Sequence, residues 1–307
     1  MNFANGKRLL IRARGGKYAI GAFNFQDMEI LQAIIRAANK EKSPVIIQTS
    51  EGAIEYAGLD YIYEMALAAL KESKVPVVLH LDHGESYDMA VRCVKIGYSS
   101  IMIDASRFGF EKNVKLTRKV ASYAHNKGVG VEGELGRLKG VEDHVKVRDK
   151  ESFLTQPEAA KEFVERTGVD YLAVAIGTSH GPYKFKGKSN LDFKRLEKIS
   201  KIVKIPLVLH GASSVYSKDI RLAKKMGAKL EGAKGVSNND LKKAIKLGVA
   251  KINTDTDLRI AFITAARKAM IDKKVIDIRK VLGPVREAVE DKVQEKIKVF
   301  GSRGKAR

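Results

Sequence analysis

The chain has 307 residues, 44% hydrophobic and 30% charged, enough apolar content for a large core and too much for a disordered, collagenous or disulfide-stapled protein. Its one cysteine, Cys93, precludes an internal disulfide, and neither an apolar leader nor an uncharged apolar run of about 18 residues stands in the sequence, so a cytoplasmic chain off the membrane is expected. Fifty-seven Lys and Arg against 36 Asp and Glu give a net charge of +21, which suits anionic partners; the lysines lie scattered beside acids, as in Lys40-Glu41-Lys42, so a solvated basic surface is expected and a nucleic-acid module is not.

Short β-rich runs alternate with longer amphipathic ones. The strand-like runs, in chain order, are 18–25, 44–50, 76–83, 100–106, 129–135, 171–177, 206–210 and 249–255. Several are nearly continuous apolar stretches, as expected of parallel strands covered on the outside by helices. Between them lie helical patterns; from Asp27 to Ala38, for example, Ile30, Leu31, Ile34, Ile35 and Ala38 fall on one face. Eight strand–helix units predict an α/β fold, a (β/α)8 TIM barrel spanning 1–307 as one domain, with a doubly wound open sheet as the alternative. Two segments exceed a minimal unit: a polar stretch from 136 to 156, and an extra C-terminal helix over 281–300.

Barrel enzymes carry their chemistry at the C-terminal ends of the strands. His80, Asp82 and His83 end the third run, Asp104 and Ser106 the fourth, Glu132 and Glu134 the fifth. Ser179-His180-Gly181 follow the sixth, His210-Gly211-Ala212-Ser213 end the seventh, and Asn253, Asp255 and Asp257 end the eighth. Three histidines at such ends, His83, His180 and His210, can converge on one divalent metal and leave a position open for substrate. Gly181, Gly211 and Ser213, with Asn253-Thr254-Asp255-Thr256, suit an anion pocket of backbone N–H groups and hydroxyls, and Lys184 could add charge. His125 reads as structural.

The motifs Leu79-His80-Leu81-Asp82-His83-Gly84, Val131-Glu132-Gly133-Glu134-Leu135-Gly136, Gly177-Thr178-Ser179-His180-Gly181, Leu209-His210-Gly211-Ala212-Ser213 and Asn253-Thr254-Asp255-Thr256-Asp257 occur in this order along nearly the whole chain. Together they resemble the class II, metal-dependent fructose-1,6-bisphosphate aldolases. The resemblance implies a zinc-dependent, reversible aldol cleavage in glycolysis and gluconeogenesis, with His83, His180 and His210 as zinc ligands. It implies Asp104 and Glu134 at a second or alternate metal position, Asp82 as the acid/base for the C4 hydroxyl, and Glu142 as the carboxylate that moves the C3 proton. Gly181, Lys184, Gly211, Ala212, Ser213, Asn253, Thr254 and Thr256 would hold a substrate phosphate, near a monovalent cation. Ser50 and Asp255 would contact the glyceraldehyde 3-phosphate half, and Arg259 the distal phosphate. A homodimer or homotetramer is implied as well.

Two other readings stay open in the sequence. The tagatose 1,6-bisphosphate epimer is the alternative substrate, with Asp255 favouring fructose. Lys251, in the eighth run, could form a Schiff base in a metal-free aldolase, but the three histidines have no use in that chemistry.

Overall fold

The computed structural model describes residues 2–137, 153–179, 191–230 and 233–306, with the backbone alone at 140–142 and 145–147. The elements in chain order are α1 (Gly6–Gly15), β1 (Ile20–Asn24), α2 (Met28–Glu41), β2 (Val45–Thr49), α3 (Glu51–Ala57), α4 (Leu59–Glu72), β3 (Val77–Gly84), α5 (Tyr87–Ile96), β4 (Ser100–Ile103), α6 (Phe110–His125) and β5 (Gly130–Leu135). There follow β6 (Gly140–Glu142), β7 (Val145–Val147), α7 (Pro157–Thr167), β8 (Tyr171–Val174), α8 (Phe193–Ile202), β9 (Leu207–Leu209), α9 (Ser217–Lys225), α10 (Asn238–Lys246), β10 (Val249–Thr254), α11 (Thr256–Ala269) and α12 (Ile278–Phe300).

Eight parallel strands close into a barrel in the order β1-β10-β9-β8-β5-β4-β3-β2. Each of the eight apolar runs supplies one of them. Closure comes from β1 pairing with β10, Ile20 opposite Lys251 and Ala22 opposite Asn253, and this excludes the open sheet. β6 and β7 form a separate antiparallel pair in the long segment after β5. Among the described residues no helix is long and apolar enough to cross a membrane.

The period-2 alternation of each strand separates two apolar regions. Phe23, Ile47, Leu79, Leu81, Ile101, Val131 and Leu209 face outward and make one core with the surrounding helices. Ile20, Ala22, Ile46, Val78, Tyr171, Ala173 and Val208 point inward and meet Leu9, Leu10 and Ala13 of α1, which plugs the N-terminal end of the barrel. This helix was not expected from the sequence. It is short and basic, and its apolar face is only Leu9, Leu10 and Ala13. Arg14 at its end donates to the carbonyls of Ser200 (2.9 Å) and Val203 (2.8 Å), which close the C-terminus of α8.

The segment expected as an extra C-terminal helix over 281–300 is α12, which begins three residues earlier with Asp277 accepting from the Arg279 N–H. It lies against α2 and α11. Val285, Val289, Val293, Ile297 and Phe300 recur at helical spacing and bury one face.

Candidate active site

Above the apolar plug the inward-facing positions turn polar. Gln48, His80 and Ser100 lie in one register row across β2, β3 and β4. Glu132 pairs in register with Tyr171, and Lys251 comes in from β10. These side chains are fully buried, and His80, Ser100, Glu132, Tyr171 and Lys251 are linked to one another. Lys251 Nζ donates to Glu132 Oε2 (2.8 Å) and stands 3.3 Å from His80 Nε2. His80 Nδ1 lies 2.7 Å from Ser100 Oγ, which meets the Tyr171 hydroxyl. Burial, then the Lys251 charge, holds His80 well below its usual pKa, so it is neutral. Locked to Glu132 with 0% exposure, Lys251 is not placed as a nucleophile toward solvent.

One level higher lie Asp82, His83, Asp104, Glu134, His210 and Asn253. Strict alternation would send Asp82 and His83 to opposite faces. Instead the register of β3 against β4 slips between Leu81 and Gly84, and His83 has φ +48°, a left-handed conformation rare outside glycine. The irregularity brings both side chains to the same cluster. Such strain in a non-glycine residue is typical of functional sites.

Asp82 is fixed by three amides: Asn24 Nδ2 (2.9 Å) and Gln48 Nε2 (3.0 Å) donate to Oδ2, and Asn253 Nδ2 (2.8 Å) donates to Oδ1. His83 Nδ1 faces Asp104 Oδ2 at 3.1 Å, and His210 Nε2 faces Glu132 Oε1 at 2.6 Å. His83 Nε2 and His210 Nδ1, the nitrogens not turned to those carboxylates, stand 2.9 Å apart. A proton on His83 Nε2 donated to His210 Nδ1 satisfies this contact, and a metal that displaced that proton would find both nitrogens as ligands. Glu134 Oε2, 3.7 Å from His210 Nδ1, is buried with no hydrogen-bond partner among the described residues. Donor atoms of Asp82, His83 and His210, and of His83, Asp104 and Glu134, lie within 4.8 Å of one another, as metal ligands do.

The electrostatics agree. Burial, then the neighbouring His83, keeps His210 well below its usual pKa and hence neutral. Burial opposes a charge on His83 too, but Asp82, Asp104 and Glu134 outweigh it and push its pKa up to about 10. Burial, then the adjacent Asp104, raises Glu134 well above the usual carboxylate range. The cluster therefore holds more negative charge than its own side chains balance, and a divalent cation would displace the His83 proton. The residues present fit a metal.

The loops around this cluster hold most of the residues expected to bind substrate. Gly211, Ala212 and Ser213 follow β9 and are buried. Asn253, next to last in β10, faces inward beside His210 at 3.4 Å. Asp255 takes the N-cap position of α11 and pairs with Arg259 (2.7 Å), and Thr256 opens the helix. Ser50 caps α3 by accepting the Ala53 N–H (3.2 Å).

Thr254 lies in register with Phe23 of the outer core, so alternation turns its hydroxyl toward the helices and leaves its backbone as the part that can meet a substrate. His180, Gly181 and Lys184, and the side chain of Glu142 on β6, lie outside the described residues. His125 binds Asp170 (2.9 Å), remote from the cluster on α6. The sequence reading missed Asn24 and Gln48 as the residues that orient Asp82, and Glu132 and Lys251 as the support of His210. The available signal was a polar residue at an inward position of an otherwise apolar run.

A family model described as class-II fructose-bisphosphate aldolase matches residues 4–305. The chain belongs to the class II fructose-bisphosphate aldolase family. Among the relatives of this aldolase, a fructose-bisphosphate aldolase of Thermus caldophilus is 50% identical over 302 residues, 98% of this chain and 99% of its own. One of Helicobacter pylori is 47% identical over 302 residues, 98% of each chain. The crystal structure of the YdjI aldolase from Escherichia coli K12 superposes on this aldolase with a TM-score of 0.81 at 35% identity, across 99% of this chain and 100% of that one.

Proposed function

We propose that this class II aldolase cleaves D-fructose 1,6-bisphosphate reversibly to dihydroxyacetone phosphate and D-glyceraldehyde 3-phosphate, with zinc held by His83, His180 and His210. The reaction class, an aldehyde-lyase, follows from the family. Tagatose 1,6-bisphosphate is not favoured as the substrate, since relatives up to 50% identical bear the fructose name. One observation supports the metal assignment: donor atoms of Asp82, His83 and His210 lie within 4.8 Å of one another, and each histidine has its other nitrogen on a carboxylate.

The metal would supply Lewis-acid polarisation of the substrate carbonyl, which lets negative charge build on oxygen when the C3–C4 bond breaks. The chain's own residues do the rest. Asp82, aimed by Asn24, Gln48 and Asn253, takes the C4 hydroxyl proton in cleavage and returns it in condensation. Glu142 is assigned the C3 proton on the family resemblance. Gly181, Lys184, Gly211, Ser213, Asn253 and Thr256 hold one phosphate, aided by a monovalent cation; Ser50 and Asp255 orient the aldehyde half, and Arg259 meets the far phosphate. Asp104 and Glu134 offer the second metal position. On this reading the enzyme works in the cytoplasm, in glycolysis and gluconeogenesis, as a single barrel domain in a homodimer or homotetramer. Sedimentation velocity tests the assembly.

The deciding experiment measures bound metal and fructose 1,6-bisphosphate cleavage on one sample. Chelation should abolish activity, zinc should restore it, and His180→Ala and His210→Ala should lose both metal and activity. Cleavage that survives complete metal removal overturns the proposal.

A further inference from the structure

The loop that leaves β9 is pinned from several sides. Gly211 has φ +58°, and a Cβ there would fall 2.6 Å from the carbonyl oxygen of Ser179. Gly235 presses on the same loop; a Cβ on it would lie 2.2 Å from the carbonyl oxygen of Ser213. The Val236 N–H donates to that oxygen at 3.1 Å. At the end of the loop Val215 has φ +44°, a conformation a β-branched residue holds only when its surroundings impose it.

Asp257 imposes it. Its Oδ2 accepts the Ser214 N–H (2.9 Å) and its Oδ1 accepts the Val215 N–H (2.8 Å). Two adjacent amides on one carboxylate fix the backbone direction where Ser213 hands over to α9. The charge of Asp257 is met by Lys296 Nζ at 2.7 Å, and both side chains are 1% exposed. Lys296 belongs to α12, the helix added after the last barrel unit, and its ammonium also lies 4.5 Å from the centre of the Tyr216 ring. A lysine buried on an apolar helix face loses its hydration, and hydrophobic packing alone gives no reason for it to be there.

We infer that Lys296 is a positioning residue for substrate binding: through Asp257 it holds the backbone of residues 211–215 in the shape that receives a substrate phosphate. The inference rests on the assignment of Gly211 and Ser213 to that phosphate. Without the ammonium, Asp257 becomes a buried carboxylate with no counter-charge. It would draw in water, release the two amides, and let Val215 relax out of its left-handed conformation. The N–H groups and hydroxyl presented by the loop then lose their alignment, while the metal cluster, built on β3, β5 and β9, keeps its own supports.

The test is Lys296→Met in the full-length, metal-loaded enzyme. KM for fructose 1,6-bisphosphate should rise about tenfold or more with kcat changed less than about threefold, the signature of lost binding rather than lost chemistry. Affinity for inorganic phosphate, read by calorimetry, should fall in parallel, and bound metal per chain should match wild type. Lys296→Arg, which keeps the charge, should recover part of the loss. A folded Lys296→Met with wild-type KM and phosphate affinity overturns the inference. So does a loss confined to kcat or to the active fraction, which a merely structural role would give. If Lys296→Met does not fold, Lys296→Met with Asp257→Asn removes the orphan charge. The raised KM should persist there, because an amide offers one acceptor oxygen to two N–H groups; a wild-type KM in the double variant overturns the inference. Ser213→Ala separates the two assignments. If it leaves KM unchanged, the loop is not the phosphate site and both fail; if it raises KM while Lys296→Met does not, the positioning role alone fails.

Discussion

Glu132→Gln is the sharpest single perturbation of the buried polar layer. The substitution is nearly isosteric and removes one negative charge between two partners, Lys251 at 2.8 Å and His210 at 2.6 Å, where the exposure is 0%. Two separate losses follow. The Lys251 ammonium stays buried without its counter-charge, and breaking a buried pair from one side costs about 3–5 kcal/mol. At roughly 2–4 °C per kcal/mol in larger domains, the melting temperature should drop by about 10 °C. The single amide oxygen must also serve either Lys251 or His210. Where it serves Lys251, the amide nitrogen faces His210 Nε2 and favours a proton on Nδ1, the nitrogen that metal binding requires to be free. Removal of such a support behind a metal ligand typically lowers metal affinity about 10–100-fold. Thermal unfolding and zinc competition against a calibrated chelator read the two effects independently. Adding Lys251→Met should restore stability and, by freeing the amide oxygen to accept from His210 Nε2–H, should also recover part of the metal affinity. If Glu132→Gln melts within about 2 °C of wild type, the buried-pair argument is wrong. If its metal affinity is unchanged, the carboxylate does not set the His210 tautomer.

Three further outcomes follow from the packing and electrostatics. Leu10→Ala, at a fully buried position of the barrel plug, should cost about 2–5 kcal/mol in chemical denaturation and leave KM unchanged, since α1 lies at the end of the barrel remote from the site. Burial pushes the Cys93 thiol up to about 12, so the native protein should not react with a thiol reagent at neutral pH, and one thiol per chain should appear on unfolding. For Asp257 burial works against ionisation, but the Lys296 ammonium and the two amides prevail and hold its carboxyl below the ordinary 3.8. A folded-state pKa below the unfolded one stabilises at neutral pH, and that stabilisation fades as pH falls below about 4. The gap in melting temperature between wild type and Asp257→Asn should therefore narrow on acidification from pH 7 to 3; a constant gap would contradict this.

Much of the architecture was legible because buried parallel strands announce themselves as apolar runs, and the residues that break those runs mark the end where chemistry sits. His83 and His210 meet because each ends a strand, a position readable from sequence once the barrel is assumed. What brings Asp82 and His83 together was not readable: a register slip and a left-handed residue leave no trace in a pattern of hydrophobicity. The α1 plug was hidden for a related reason, since three apolar residues in a basic segment look the same on a surface helix. The motif also treats Asn253 and Thr254 as one unit, whereas the strand sends their side chains to opposite faces, which hydrophobicity alone does not announce. Lys296 and Asp257 lie far apart in the chain, and nothing near either names the other.

The closure of β1 on β10 also sets a schedule for the protein's birth. The first strand, Ile20–Asn24, leaves the ribosome long before its partner, Val249–Thr254. At about 5–20 residues per second, β1 waits some 10–50 s for β10. Throughout that interval one side of β1 presents unpaired backbone N–H and C=O groups, a template for any other nascent chain nearby. The ion pair that shapes the loop after β9 comes later still, because Lys296 lies in α12, which follows β10 in the chain. Every ribosome-bound copy is thus an unclosed and adhesive barrel, and how much enzyme a cell obtains depends on how well that interval is chaperoned as well as on the stability of the finished fold.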